Sequence, residues 1–171
     1  MKESIKTIIN RIYNEKDYNY FKEACTKKLP FIDELLKNMH PICEKINDYS
    51  LKEEPSYKFY IVVNNTNVNN INIKYTSILK ISKITNFFYL QNEISIENPD
   101  PNRMDTYIDT YRDEPYSKQQ FRLEEIINNI LVNNNYYRLM FCDADEVCLD
   151  SPNITVETAV FDDYLDINHG E

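Results

Sequence analysis

The chain has 171 residues, of which 42% are hydrophobic and 13% aromatic. This composition is typical of an ordered globular protein and excludes an intrinsically disordered chain. Gly170 is the only glycine, so Gly-rich phosphate loops and the G-x-S-x-G turn of hydrolases are excluded. No apolar run approaches the roughly 20 residues that cross a bilayer, and the N-terminus does not resemble a signal peptide. We therefore expect a single cytoplasmic domain covering residues 1–171, with no contact to a membrane.

The net charge of −9 is distributed unevenly along the chain. Residues 1–96 carry 14 Lys and Arg against 11 Asp and Glu, a balance of +3, whereas residues 97–171 carry 5 against 17, a balance of −12. Phosphate contacts require Lys and Arg in number, so this distribution argues against direct nucleic-acid binding. It favours either a basic partner for the C-terminal half or an acidic surface that serves only solubility.

Apolar residues at helical spacing predict a helical N-terminal part over residues 1–48. The first helix covers residues 2–14, and Asp17 is suited to cap the second. Pro41 should kink or end the third helix, which is then expected to resume through Ile46.

Between residues 56 and 96 the apolar period changes to two, which predicts an antiparallel meander of three or four strands with one face against the helices. Residues 97–116 form a long acidic loop, in which Met104–Tyr111 is suited to a short helical turn. Residues 117–165 are expected to contain one further amphipathic helix and the C-terminal strands. The predicted fold class is α+β, with the N-terminal helices packed on an antiparallel sheet.

The best-marked element is the helix that follows Ser117. Ser117 can accept from the backbone N–H three residues on and Gln120 can reach back, which is the pattern of a capping box. Apolar side chains then recur at i, i+3, i+4, i+7 and i+8, and the asparagines at 133–135 should end the helix. The aromatic segment 136–141 predicts a buried strand, and the apolar run 156–165 a last strand.

Acidic and aromatic residues alternate in the loop, and acidic residues recur after the segment 136–141. Tyrosine offers a large contact area with few rotatable bonds, and carboxylates set specificity and association rate against a basic partner. The alternative is a solvated loop without function. We predict one partner-binding set from both stretches: Asp105, Tyr107, Asp109, Tyr111, Asp113, Glu114, Tyr116, Asp143, Asp145 and Glu146.

Three patterns keep an enzyme as the alternative. The acids at 143–145 match the DxD motif of some glycosyltransferases, but no phosphate-binding loop accompanies them. The spaced aspartates from Asp100 to Asp113 lack the glycine and terminal glutamate of a calcium loop. Cys142 or Cys148 could act as a nucleophile beside one of the two histidines, although neither has a local signature. We expect no catalysis, metal or cofactor; a non-catalytic regulatory or structural subunit is the other alternative.

Residues 78–147 resemble part of a known family. The stretch consists of Ile78–Ile84, Phe87–Glu93, the acidic loop ending Glu114-Pro115-Tyr116-Ser117, the amphipathic helix, and Tyr137–Leu139 before Glu146-Val147. This order is similar to that of small cytoplasmic immunity proteins encoded beside bacterial polymorphic or contact-dependent toxins. Asn135 stands where such proteins are expected to carry glycine, and both residues tolerate the turn.

The resemblance covers less than half of the chain and implies a protein without catalysis. Such a protein binds a cognate toxin domain tightly and occludes its active site or an essential surface. Many toxin domains that attack nucleic acids, nucleases among them, are basic, so the acidic half of this chain would be attracted to one.

Overall fold

The computed structural model describes residues 2–69, 71–97, 108–146, 154–163 and 166–167, excluding the side chains of 2–4, 108 and 109. The N-terminal helices are α1 (Lys2–Ile9), which continues as a π-helical turn (Asn10–Asn14), α2 (Tyr18–Cys25) and α3 (Ile32–Met39). Asp17 caps α2 as predicted, because its carboxylate accepts from the backbone N–H of Tyr20 at 3.1 Å.

A six-stranded sheet follows these helices. Its strands are β1 (Lys45–Asp48), β2 (Ser56–Val68), β3 (Ile71–Ser82), β4 (Phe87–Glu97), β5 (Ile108–Arg112) and β6 (Tyr137–Leu139). Strands β1 to β5 lie in chain order with antiparallel neighbours, whereas β6 pairs with β4 in parallel. Because β5 pairs with 92–96 and β6 with 87–89, both lie along the same edge of β4. The predicted α+β class and the central meander are confirmed.

Helices cover both faces of the sheet, not the single face expected. Four consecutive residues of β4 are buried, and they alternate between two apolar clusters. Phe87 and Tyr89 pack with α1, α2 and α6 (Val156–Phe161), while Phe88 and Leu90 pack with α3 and α4 (Lys118–Asn133). A strand that is apolar on both sides needs a helical layer on each side.

The cap of α4 confirms one half of the predicted capping box. Ser117 accepts from the backbone N–H of Gln120 at 3.1 Å. Gln120 does not reach back to Ser117. Its buried amide accepts from Tyr116 N and donates to the carbonyl oxygens of Thr76 and Glu93, which fastens α4 to β3 and β4. Asn135 adopts a φ of 62°, as expected for the residue that ends this helix.

Four local predictions are wrong. Ile46 lies in β1, which pairs with β2, and 108–111 belong to β5, not to a helical turn. The segment 136–141 forms only the three-residue β6, because the chain turns into the short helix α5 (Phe141–Ala144). The apolar run after residue 155 forms helix α6 (Val156–Phe161), not a strand, because Thr155 and Thr158 cap its start.

Candidate partner-binding surface

The two predicted acidic stretches meet beside the edge of β4. Asp113 follows β5, and its Oδ2 accepts from the backbone N–H of Phe141, the first residue of α5, at 2.9 Å. This bond joins two parts of the chain that are 28 positions apart. The end of β5 and the start of α5 therefore form one surface, which we call the edge surface and define as residues 111–114 and 137–146.

Arg138 fastens the edge surface to the rest of the fold. Its guanidinium forms a mostly buried ion pair with Glu124 of α4. Its Nη2 also donates to the carbonyl oxygens of Leu90, at 3.1 Å, and Asp113, at 2.6 Å. The buried Asn92 donates to the same carbonyl of Asp113 at 3.1 Å. Because Leu90 lies between the parts of β4 that pair with β5 and β6, Arg138 closes the gap between these two strands.

Large apolar side chains are exposed on the edge surface. Tyr111 is 59% exposed, Tyr137 49%, Phe141 47% and Met140 38%. Tyr111 was predicted to bind a partner, but the other three were missed because 136–141 was predicted to be a buried strand. Only Tyr136 and Leu139 of that segment are buried. The charged Arg138 inside the segment was the signal that the strand is not enclosed on all sides.

The carboxylates of the edge surface differ in exposure and in the hydrogen bonds and ion pairs that they form. Glu114 and Asp145 are exposed, whereas Asp143 and Glu146 are half-buried. Glu146 lies 4.0 Å from Lys6, measured from Oε1 to Nζ. Among the described residues, the carboxylates of Glu114 and Asp145 have no hydrogen bond or ion pair. These two are therefore the carboxylates most accessible to a partner.

Tyr116 packs inside its own loop. Its hydroxyl accepts from Thr110 Oγ1 at 3.0 Å, and the Arg112 guanidinium lies 3.9 Å from the centroid of its ring. Arg112 also donates to the carbonyl oxygens of Glu114, at 3.1 Å, and Pro115, at 2.9 Å. Arg112, the cation among the predicted acids, is thus held by contacts within its own loop, and Tyr116 stabilises that loop.

The carboxylates on and after α6 have a different environment. Lys58 and Lys80 are opposite each other on β2 and β3, and both are half-buried. Asp162 lies 2.7 Å from Lys58 and 3.4 Å from Lys80, and Glu157 lies 2.8 Å from Lys80. Burial acts to lower the pKa of Lys58, but hydrogen bonds to Asp162 and Glu54 outweigh it and raise the pKa above its usual value. This part of the acidic half is neutralised within the fold.

Several earlier predictions fall outside what the structure describes. Asp105, Tyr107 and Cys148 lie outside the described residues, and Asp109 lies in β5 with its side chain outside the description. Within the described ranges, no three His, Cys, Asp or Glu side chains form a group that could hold a metal ion. Cys142 is exposed on α5.

No protein-family model matches the chain, and searches of curated proteins and of solved structures find no match either. A functional assignment therefore has to come from the residues and geometry of this chain. The longest described helix, α4, has 16 residues, and in the described part of the chain no helix is long and apolar enough to span a bilayer.

Proposed function

We propose that this protein is an immunity protein that binds a basic toxin domain through the edge surface and neutralises it by occlusion. The observation that carries this proposal is the hydrogen bond from Phe141 N to Asp113. It joins the two acidic stretches that the sequence suggested, and each stretch carries exposed aromatic side chains.

The physical roles within the edge surface differ between its charged and apolar side chains. Long-range attraction between the acidic surface and a basic domain accelerates encounter and orients the two proteins. Glu114 and Asp145 supply exposed charge for this step. Binding energy in such interfaces comes mainly from a few aromatic anchors that are fully desolvated in the complex. Tyr111 and Phe141 are the exposed aromatic residues nearest in sequence to these carboxylates.

The proposal that the partner is a toxin rests on the resemblance of residues 78–147 to immunity proteins. All residues of the edge surface lie inside that segment. A surface that is fixed before binding favours tight occlusion, since ordering it on contact would cost affinity. The clamp of Arg138 on Leu90, Asp113 and Glu124 supports such a preformed surface.

The proposal is tested by co-expression with the product of the gene directly upstream, which we expect to encode the toxin. The wild-type protein should restore growth, and the double variant Tyr111→Ser/Phe141→Ser should lose this protection. The matched control is Phe121→Ser/Val132→Ser, because both residues are more than half exposed on α4, outside the edge surface. Protection by the edge variant equal to that of the control would exclude the edge surface as the binding site.

A further inference from the structure

A second charged site lies toward the opposite edge of the sheet, near β1. An open cavity of about 270 Å³ is lined by residues at the end of α2, in the loop between β1 and β2, and in the loop after β3. We call it the lysine pocket, because its lining contains Lys27, Lys28, Lys52 and Lys83 against one carboxylate, Asp48. In a chain with a net charge of −9, this concentration of lysines is unexpected.

Lys83 is the buried cation of this pocket, with 5% of its surface exposed. Its Nζ donates to the carbonyl oxygens of Leu51, at 3.1 Å, and Lys52, at 3.3 Å, and lies 5.0 Å from the centroid of the Tyr57 ring. Among the described residues, no carboxylate lies within 4.0 Å of this ammonium group. A buried ammonium group without a counter-ion is energetically costly, so such groups are usually paired.

The pKa of Lys83 reflects this lack of a neighbouring counter-ion. Burial lowers it, and the more distant carboxylates of Glu54 and Asp48 only partly offset that effect. Lys58 has the opposite shift because two carboxylates touch it. An anion in the pocket would place a negative charge beside Lys83, as Asp162 and Glu54 do beside Lys58.

The other polar groups of the pocket favour an anion rather than a cation. Asp48 Oδ1 accepts from the backbone N–H of Ser50 at 2.8 Å, so one oxygen of the single carboxylate in the described lining already has a partner. Ser50 Oγ accepts from the backbone N–H of Lys58 at 2.9 Å and retains its own proton to donate. Lys27, Lys28 and Lys52 are exposed and have no ion-pair partner within the described residues.

We propose that the lysine pocket binds a small anion that carries a phosphate group. Four ammonium groups against one carboxylate match a multiply charged ligand better than a single carboxylate. Lysine binds phosphate oxygens as a point charge, and the described lining of the pocket contains no arginine for the planar, bidentate recognition of carboxylates. Its volume lies below the roughly 300–1,000 Å³ of sites for drug-sized ligands, which suits inorganic phosphate or a small phosphate monoester.

The test is an NMR titration of the full chain at constant ionic strength with inorganic phosphate, glycerol phosphate and acetate in separate arms. Both phosphates should shift the amide signals of 50–52 and 83 saturably, and acetate should not. Tighter binding of glycerol phosphate would identify a monoester as the ligand, and tighter binding of inorganic phosphate would identify the free ion. Linear shifts without saturation would overturn the proposal.

Variants distinguish phosphate binding in the pocket from a general effect of the protein's net charge. Lys83→Met should weaken phosphate binding about tenfold or more, because the buried charge is lost. Lys27→Gln/Lys28→Gln should weaken it several-fold, whereas Lys22→Gln/Lys37→Gln removes the same charge from exposed positions outside the pocket and should change it less than about twofold. Equal losses in the two double variants would contradict a site, and this comparison stands even if Lys83→Met fails to fold.

Discussion

The carboxylates of the C-terminal half divide into two regions with different surroundings. Glu157 and Asp162 face the lysines of β2 and β3 and are neutralised inside the fold. Glu114 and Asp145, on the edge surface, are exposed and have no described partner. The balance of −12 in the sequence therefore combines charge that is paired with lysines of the fold and charge that has no described partner. Counting charges cannot separate the two, because the separation depends on which strand each helix faces.

The largest effect is expected from breaking the attachment of the edge surface. Arg138→Met leaves Glu124 buried without its cation and removes the bonds to Leu90 and Asp113. Breaking a buried pair in this way costs about 3–5 kcal/mol of unfolding free energy. Urea denaturation measures this, and Arg138→Met/Glu124→Leu should recover part of the loss. A single-variant loss below about 1 kcal/mol would show that Arg138 does not clamp the edge.

A smaller loss is expected from the neutralised region. Lys80→Met deprives Glu157 of its described cation, while Lys58 still holds Asp162. The loss of charged hydrogen bonds should cost about 1–2 kcal/mol of unfolding free energy in the same urea experiment. Lys118→Met, at an exposed site on α4, serves as the control and should change stability by less than about 0.5 kcal/mol. An equal effect of both substitutions would mean that the carboxylates of α6 are not neutralised by β3.

The pH dependence of stability provides a third contrast. The folded pKa of Lys58 is raised above its usual value of 10.5, so the stabilisation is fully present below pH 10.5. It is lost as the pH rises through the folded pKa. Tyr136, whose pKa burial raises to about 12, contributes in the same direction. Lys58→Met should therefore show a shallower alkaline loss of stability than the wild type, measured by thermal melts between pH 9 and 12. Parallel curves would contradict the role of Lys58.

The smallest stability effect is expected on the edge surface itself. Glu114→Gln/Asp145→Asn removes two charges that have no described partner. The unfolding free energy should stay within about 0.5 kcal/mol of the wild type. A larger loss of unfolding free energy would show that these carboxylates stabilise the fold, as those on and after α6 do. The distinction between the two regions would then be lost.

The sequence predicts those elements that have a repeating pattern of their own. The helical stripes, the meander over 56–96 and the caps at Asp17 and Ser117 depend on neighbouring residues, so local patterns are sufficient. Strands β1 and β5 were missed because four- and five-residue edge strands depend on the strand beside them. Helix α6 was mistaken for a strand because six residues are too few to separate the two periods.

The candidate sites were harder to predict from the sequence than the secondary structure. The acidic residues of the edge surface stand out by composition, but the bond from Phe141 to Asp113 joins residues 28 positions apart. The exposure of Phe141 follows from the turn into α5 after only three strand residues. The lysine pocket combines three segments between residues 26 and 83, so no single stretch of sequence indicates it.

The association rate with the toxin domain tests the proposed function most directly. Glu114→Lys/Asp145→Lys reverses two exposed charges on the edge surface, and Glu34→Lys/Glu125→Lys makes the same net-charge change at exposed positions on α3 and α4. Stopped-flow measurement at low salt should show association slowed about tenfold or more by the edge variant and less than about threefold by the control. Equal slowing by both variants would contradict binding through the edge surface.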